Sequence, residues 1–192
     1  MSVPPIPASP PTPNPPTPRM RRLFFKMSEH WGRPTRMAAH DDLHIAVWED
    51  PAGAATAFNT LGLSEVACAA DGSPIELHWL VKHPLDLAGQ TAAALFLAQL
   101  AAAARAPEVR FDWHGRVHTP GGVPGFTCCY DVWLHPALTD ADPDTLEDAA
   151  GAVKLLYVIP LTEYENFVLA QRGVEALLDY VQTNAIDLLT PR

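Results

Sequence analysis

Cysteine, long apolar runs and positive charge are all scarce in this 192-residue chain. The three cysteines are Cys68, Cys128 and Cys129, two of them adjacent, with no C-x-x-C. An odd count in that arrangement speaks against a disulfide framework. A reducing, cytoplasmic location is expected, all the more because no charged and apolar leader opens the chain. No window reaches the roughly 18 consecutive apolar residues of a membrane span. The closest approach, Thr91 to Ala106, is too short and is interrupted by Gln99 and Arg105. Lys and Arg number 13 against 22 Asp and Glu, a net charge of −9, and the basic residues are scattered. Such a surface repels phosphates, so neither a nucleic acid nor a membrane is expected as partner.

Catalytic signatures are missing too. There is no H-E-x-x-H. Leu61-Gly62-Leu63-Ser64-Glu65 is not the G-x-S-x-G nucleophile elbow. Gly121-Gly122-Val123-Pro124-Gly125 lacks the Lys-Ser/Thr of a phosphate loop, and its proline removes a donor N–H. Cys128 and Cys129 fall in an expected strand, so one of them should point into the core as a small hydrophobe. No catalytic residue, metal or cofactor is assigned.

Proline is abundant, and unevenly spread. Nine prolines precede Arg19 in a stretch with almost no large apolar side chain. Such a segment cannot bury enough surface to offset its ordering entropy. Residues 1–22 are therefore expected to form a disordered tail that can be deleted without loss of folding, with Met20 and Met27 as candidate starts. A single domain is expected over residues 27–192. Without the three arginines of the tail, the remainder carries −12.

Within that domain, Leu43 to Glu49 alternates apolar and polar, and Ala55 to Leu63 and Ile75 to Lys82 read as further strands joined by turns at Asp50–Gly53 and Asp71-Gly72. These form an antiparallel meander. Thr91 to Arg105 is rich in Ala, Leu and Gln and reads as a helix ended by Pro107. Phe126 to Leu134 is a strand. Ala137 to Gly151 is acidic and turn-rich and reads as an exposed loop with at most a helical turn. Lys154 to Ile159 is almost wholly apolar, as suits a central strand covered on both faces. Thr162-Glu163-Tyr164-Glu165 has the capping-box pattern, with Phe167 and Val168 turned inward. From Gly173 a helical spacing buries Val174, Leu177, Leu178 and Val181, and Asn184 marks its stop. The fold class is α+β: a mostly antiparallel sheet with helices packed on it.

Two groups of side chains are candidates for function. Trp48 is out of phase with Leu43, Ile45 and Val47, and Trp113 lies in a polar segment beside Asp112. As exposed tryptophans they would be anchors for a protein partner; with both sheet faces covered they would be core. Asp140, Asp142 and Asp144 give the acidic loop a charge that would attract a basic partner. The alternative is a metal-dependent hydrolase using Asp112, His114 and His118. However, Gly115 and Pro120 argue against a helix there. On a strand the two histidines would stand ~13 Å apart, at about 3.3 Å per residue.

Three segments carry a resemblance: Asn59-Thr60-Leu61-Gly62-Leu63-Ser64; Glu76-Leu77; and Val153 to Leu178, with its apolar strand, Thr162-Glu163-Tyr164-Glu165 and Gly173-Val174-Glu175-Ala176-Leu177-Leu178. In this order they resemble the suppressor-of-fused domain family, from about Leu43 onward. The resemblance implies a non-catalytic protein-binding module. The chain is short, like single-domain bacterial members, and lacks the second domain that animal members close around a transcription-factor peptide. Likeness to the bacterial members implies an immunity protein that neutralises a toxin by direct binding. An accessory structural protein of a secretion system is a further alternative. The segment Gly115 to Gly122, with Arg116 and His118, corresponds by resemblance to the family's edge near the partner groove.

Overall fold

The computed structural model of the chain describes residues 14–106, 111–139 and 142–192. Their strands are β1 (Arg36–His40), β2 (Leu43–Glu49), β3 (Thr56–Leu61), β4 (Ile75–Val81), β5 (Arg116–His118), β6 (Cys129–His135), β7 (Thr145–Asp148) and β8 (Gly151–Thr162). The helices are α1 (Pro18–Trp31), α2 (Leu87–Ala103) and α3 (Glu163–Thr183). All strands join one sheet in the order β1-β2-β3-β4-β8-β6-β5, and β7 pairs with the start of β8. The expected meander runs antiparallel from β1 to β4. The β4–β8 pair is parallel, because α2 and three strands intervene before the chain returns beside β4. No helix among the described residues is long and apolar enough to cross a membrane.

Alternation along the strands divides the side chains between two faces. Ile45, Val47, Phe58, Leu77, Trp79, Val132 and Leu156 share one cluster with the alanine-rich α2. The small side chains of Ala93, Ala94, Ala98 and Ala101 let the helix backbone approach the sheet closely. The opposite face carries two clusters. Met20, Leu23 and Met27 of α1 cover Ala46, Trp48, Leu61, Leu155 and Tyr157, while Val168, Leu169 and Leu177 of α3 cover Trp133, Ile159 and Leu161. With both faces covered, β8 is buried continuously from Val153 to Leu161.

α1 corrects the expected tail. Residues 18–22 are helical, and the folded region reaches back past Met27: Thr17 caps the helix by accepting from Met20 N at 3.2 Å, Pro18 occupies its first turn, and Met20 is 4 % exposed. The expectation for residues 1–13 lies outside the described residues. β7 replaces the exposed loop expected before Gly151, pairing Thr145 with Lys154 and burying Leu146. α3 starts as its capping box requires, with Thr162 N donating to Glu165 Oε2 at 2.8 Å and Glu165 N to Thr162 Oγ1 at 3.3 Å. Gly173, at φ 86°, breaks it into two segments. In the second segment only a narrow stripe centred on Leu177 meets the sheet, with Val174, Tyr180 and Val181 partly buried, so Leu178 is 47 % exposed, contrary to expectation. Phe167, also expected inside, is 51 % exposed.

Two titratable side chains of β4, Glu76 and His78, are sealed inside the fold. Glu76 on β4 is wholly buried: Thr60 Oγ1 donates to Oε2 at 2.6 Å, and Gly62 N, Ser64 N and Ser64 Oγ reach Oε1 at 3.0, 3.1 and 2.8 Å. Burial pushes its carboxyl above the usual range, and these four donors pull against that shift. His78, two residues on, is stacked on Trp31 at 4.5 Å and packed on Tyr157 at 4.8 Å, with Asn59 Oδ1 3.2 Å from Nδ1. Burial lowers its pKa from 6.5 to about 4.

Leu177→Ala should cost ~2–5 kcal/mol in chemical denaturation, while Leu178→Ala should stay within about 0.5 kcal/mol. His78 gives a pH dependence of definite sign. Its folded pKa lies below its unfolded value, so the unfolded chain binds the extra proton. Its contribution is complete above pH 6.5 and is lost as the pH falls toward 4. The loss should approach ~3 kcal/mol at 1.36 kcal/mol per pKa unit. His78→Phe should flatten the stability profile in that window; a slope unchanged by the substitution would refute the assignment.

Candidate functional site

The main path of the sheet ends at β1 and β5, and β7, off that path, pairs with β8 alone among the described strands. β5 pairs with β6 on one side only, Arg116 with Trp133, Val117 with Val132 and His118 with Asp131. Its other side meets no strand among the described residues. The three residues alternate: Val117 is buried under α2, while Arg116 and His118 are exposed. An unpaired strand edge offers backbone N–H and C=O groups to an extended segment of another chain.

Both flanks of β5 are shaped. On the α2 side, a hollow of about 150 Å³ is lined by Phe96, Gln99, Leu100, Val117, His118 and Thr119, and Gly121 and Gly122 form its rim. Gly122 adopts φ 74°, in the left-handed region that favours glycine. Thr119 is 7 % exposed, and its hydroxyl has no hydrogen-bond partner among the described residues. On the α3 side, Arg116 Nη1 donates to Asn166 Oδ1 at 2.9 Å. Tyr164 and Phe167 flank that asparagine, both about half exposed, with ring centroids 6.5 Å apart; Tyr164 also packs on Tyr180 at 5.1 Å. An edge strand, an apolar hollow and an aromatic patch thus adjoin one another. Chemically this arrangement suits recognition: backbone pairing along the edge and aromatic anchoring beside it.

The sequence-derived candidates are scattered over the fold. Arg116 and His118 lie on β5, and His118 Nδ1 is 3.1 Å from Asp131 Oδ1. Trp48 is 7 % exposed beneath α1, its indole donating to Gly32 O at 2.8 Å, so it is not an exposed anchor. The physical reason is α1, which covers the face that Trp48 occupies. Trp113 is partly buried, its indole donating to Leu155 O at 3.0 Å with Lys154 Nζ 4.5 Å above the ring. Asp142 accepts from Thr139 N and Oγ1, and Asp144 from Thr145 Oγ1, in the segment leading into β7 and away from β5. Asp140 lies outside the described residues. Tyr164 and Phe167 escaped the sequence reading: Phe167 follows the apolar spacing of a buried helix face, and only the first turn's capping box hints at where that face begins.

Asp112, His114 and His118 are not brought together. Asp112 Oδ1 accepts from Lys154 Nζ at 2.9 Å and its Oδ2 from Ala70 N at 3.2 Å. His114, at φ 65°, lies against Trp133 and His135 at 6.2 and 5.6 Å. No group of three or more His, Cys, Asp or Glu among the described residues is arranged to hold a metal ion.

The arrangement of strands and helices matches solved suppressor-of-fused structures. The chain superposes on a chain of the Sufu–Fu complex with a TM-score of 0.68 at 13 % identity, covering 92 % of this chain and 90 % of that one. A suppressor-of-fused homologue from Neisseria gonorrhoeae gives 0.61 at 12 % identity, covering 89 % and 92 %. Drosophila Suppressor of Fused gives 0.63 at 11 % identity; 92 % of this chain is covered, and it spans half of the longer fly protein. No family model matches the chain, and no curated protein matches it in sequence. The fold is therefore suppressor-of-fused-like, as the motifs imply.

Asp112 has a structural task in this arrangement: with Asp71 it holds the ammonium of Lys154, 2.9 Å from each carboxylate, on a side chain only 11 % exposed. Because Asp71 Oδ2 keeps the ammonium paired, Asp112→Ala should destabilise the protein by only ~1 kcal/mol, the worth of one hydrogen bond. Urea unfolding measures this, and an unchanged midpoint would contradict it.

Proposed function

We propose that this chain is a protein-binding module of the immunity type, which neutralises a toxin by holding it in a stoichiometric complex. The observation that carries the reading is the open β5 edge bordered by the Tyr164–Phe167 patch and the hollow beside α2. The suppressor-of-fused-like fold supports it, since one solved example is a complex of Sufu with a second protein, Fu. The acidic balance, 22 Asp and Glu against 13 Lys and Arg, favours a basic partner. In this reading an extended segment of the partner lies along β5, with Arg116 and His118 at its sides. Aromatic side chains supply most of the holding energy, and the surrounding charge mainly sets the rate of encounter.

The test uses a purified toxin domain encoded beside this chain. A one-to-one complex that abolishes toxin activity is expected. The double substitution Tyr164→Ala and Phe167→Ala should raise the dissociation rate at least tenfold, since a truncated aromatic anchor costs more than about 1 kcal/mol. Charge reversal at Asp142 and Asp144 should slow association at low salt and leave dissociation nearly unchanged. Full neutralisation that ignores both sets of substitutions would count against this surface. Turnover of the toxin by the isolated chain would count against binding as the mechanism.

A further inference from the structure

Two histidines meet at the end of β6. His114 and His135 have ring centroids 5.6 Å apart, with their planes at 76°. The buried Trp133 packs against both, 4.4 Å from His135 and 6.2 Å from His114. The backbone brings the pair together. Gly115 N donates to Asp112 O at 2.9 Å and closes a tight turn that holds His114 at φ 65°. His114 N donates to Leu134 O at 2.6 Å, and Leu134 N to Gly115 O at 2.9 Å. His114 is thereby seated beside the last residue of β6, His135. A histidine at positive φ is uncommon, and it persists where the surrounding structure fixes it.

The His135 ring is fixed by its own hydrogen bond. Its Nδ1 lies in close contact with Ala137 O, and Ala137 N stands 3.3 Å away. A bare nitrogen lone pair would be repelled by the nearer carbonyl oxygen, so Nδ1 carries the proton and donates it to Ala137 O. That leaves the Nε2 lone pair, which no described group occupies and which is not among the sealed, unpartnered polar atoms of the fold. His114 is exposed, and neither of its ring nitrogens is hydrogen-bonded among the described residues. A backbone-held Nδ1–H with an open Nε2 is how proteins present histidine to a metal ion. The spacing agrees. Two imidazoles that ligate one zinc ion at about 2.0–2.1 Å and near the tetrahedral angle have centroids roughly 5 Å apart. A small rotation of the exposed His114 side chain covers the difference from 5.6 Å.

We propose that His114 and His135 form a two-histidine site for a divalent cation of borderline softness, Zn²⁺, Ni²⁺ or Cu²⁺, with water in the remaining positions. Imidazole suits these ions, whereas Mg²⁺ and Ca²⁺ take oxygen ligands. A bound ion would tie the turn at residues 112–115 to β6. The inference stands apart from the toxin-binding reading, because neither histidine belongs to β5 or to the Tyr164–Phe167 patch. It also differs from the set of Asp112, His114 and His118, whose members lie apart.

Calorimetric titration of the full chain with ZnCl₂ at about pH 7.5, above the ordinary histidine pKa, should show one saturable site, and MgCl₂ should show none. His114→Asn keeps a residue that tolerates positive φ, and His135→Gln keeps a polar side chain. Each should weaken Zn²⁺ binding about tenfold or more, because a single imidazole is left to hold the ion. His118→Gln should leave binding unchanged. A second readout keeps the test available if His135→Gln fails to fold: trace Cu²⁺ added to the unmodified chain should broaden the imidazole NMR resonances of His114 and His135 together, while that of His40, at the opposite end of the sheet, stays sharp. No saturable Zn²⁺ site, equal binding of Mg²⁺, binding that survives both substitutions, an equal loss with His118→Gln, or broadening of only one of the two imidazoles would each overturn the proposal.

Discussion

The Glu76 carboxyl group organises this fold. A wholly buried carboxyl is costly unless its oxygens are occupied, and here four donors from Thr60, Gly62 and Ser64 converge on them. Satisfying Glu76 therefore fixes three things together: the end of β3, the Gly62 turn at φ 110°, and the short 3-10 turn over Leu63–Glu65. α1 then docks on that turn. Arg19 donates to Ser64 O at 3.1 Å, Thr17 hydrogen-bonds Glu65, and a Cβ at position 62 would come within 2.8 Å of Met20 Cε. The backbone angle calls for glycine, and Asp42 O, 3.3 Å from where a Cβ would stand, tightens the requirement. Once α1 is seated, it covers Trp48, His78 and Tyr157. A single buried carboxyl thus leads, through a turn and a helix, to a second covered face of the sheet.

That covering determines where another protein could be met. With α2 on one face and α1 and α3 on the other, the interior of the sheet offers nothing to a partner. What remains is the edges and the outer surfaces of the helices. At β1, Arg36 is engaged with Gln90 of α2. β5 is short, carries two exposed polar side chains and runs between the apolar hollow and the aromatic patch. Short edge strands with charged residues resist indiscriminate pairing.

Much of the scaffold is legible in the sequence because burial imposes periodicity. β2 matches its alternating pattern to the residue, β8 its continuous apolar run, and the start of α3 its capping box. The departures have physical causes. The apolar spacing of Met20, Leu23, Phe24, Met27 and Trp31 is helical, but it adjoins a proline-rich stretch whose composition dominates any reading of that region. Leu178 shares the apolar helical spacing of Val174, Leu177 and Val181, but only a narrow stripe centred on Leu177 meets the sheet, which leaves Leu178 outside. β1, β5 and β7 are three to five residues long, too short for an alternation to stand out, and they are defined by their partners across the sheet.

The same contrast separates fold from site. The residues that carry the resemblance, Thr60 to Ser64, Glu76-Leu77 and Val153 to Leu178, are chiefly those that hold the scaffold: the donors to Glu76, the buried β8 and the anchoring face of α3. Core residues of this kind persist wherever the same hydrogen bonds and packing must be made, which is how a fold can match at 11–13 % identity. The β5 edge lies between those segments. Its exposed side chains satisfy no interior constraint, so spacing does not announce them, and Arg116 and His118 are singled out by resemblance alone. Arg116, His118, Tyr164 and Phe167 are all exposed and touch only surface neighbours such as Asn166, Asp131 and Tyr180, so the core does not dictate them. Those positions are therefore the ones free to be shaped by a partner, and a scaffold of this kind can keep its core while changing what it binds.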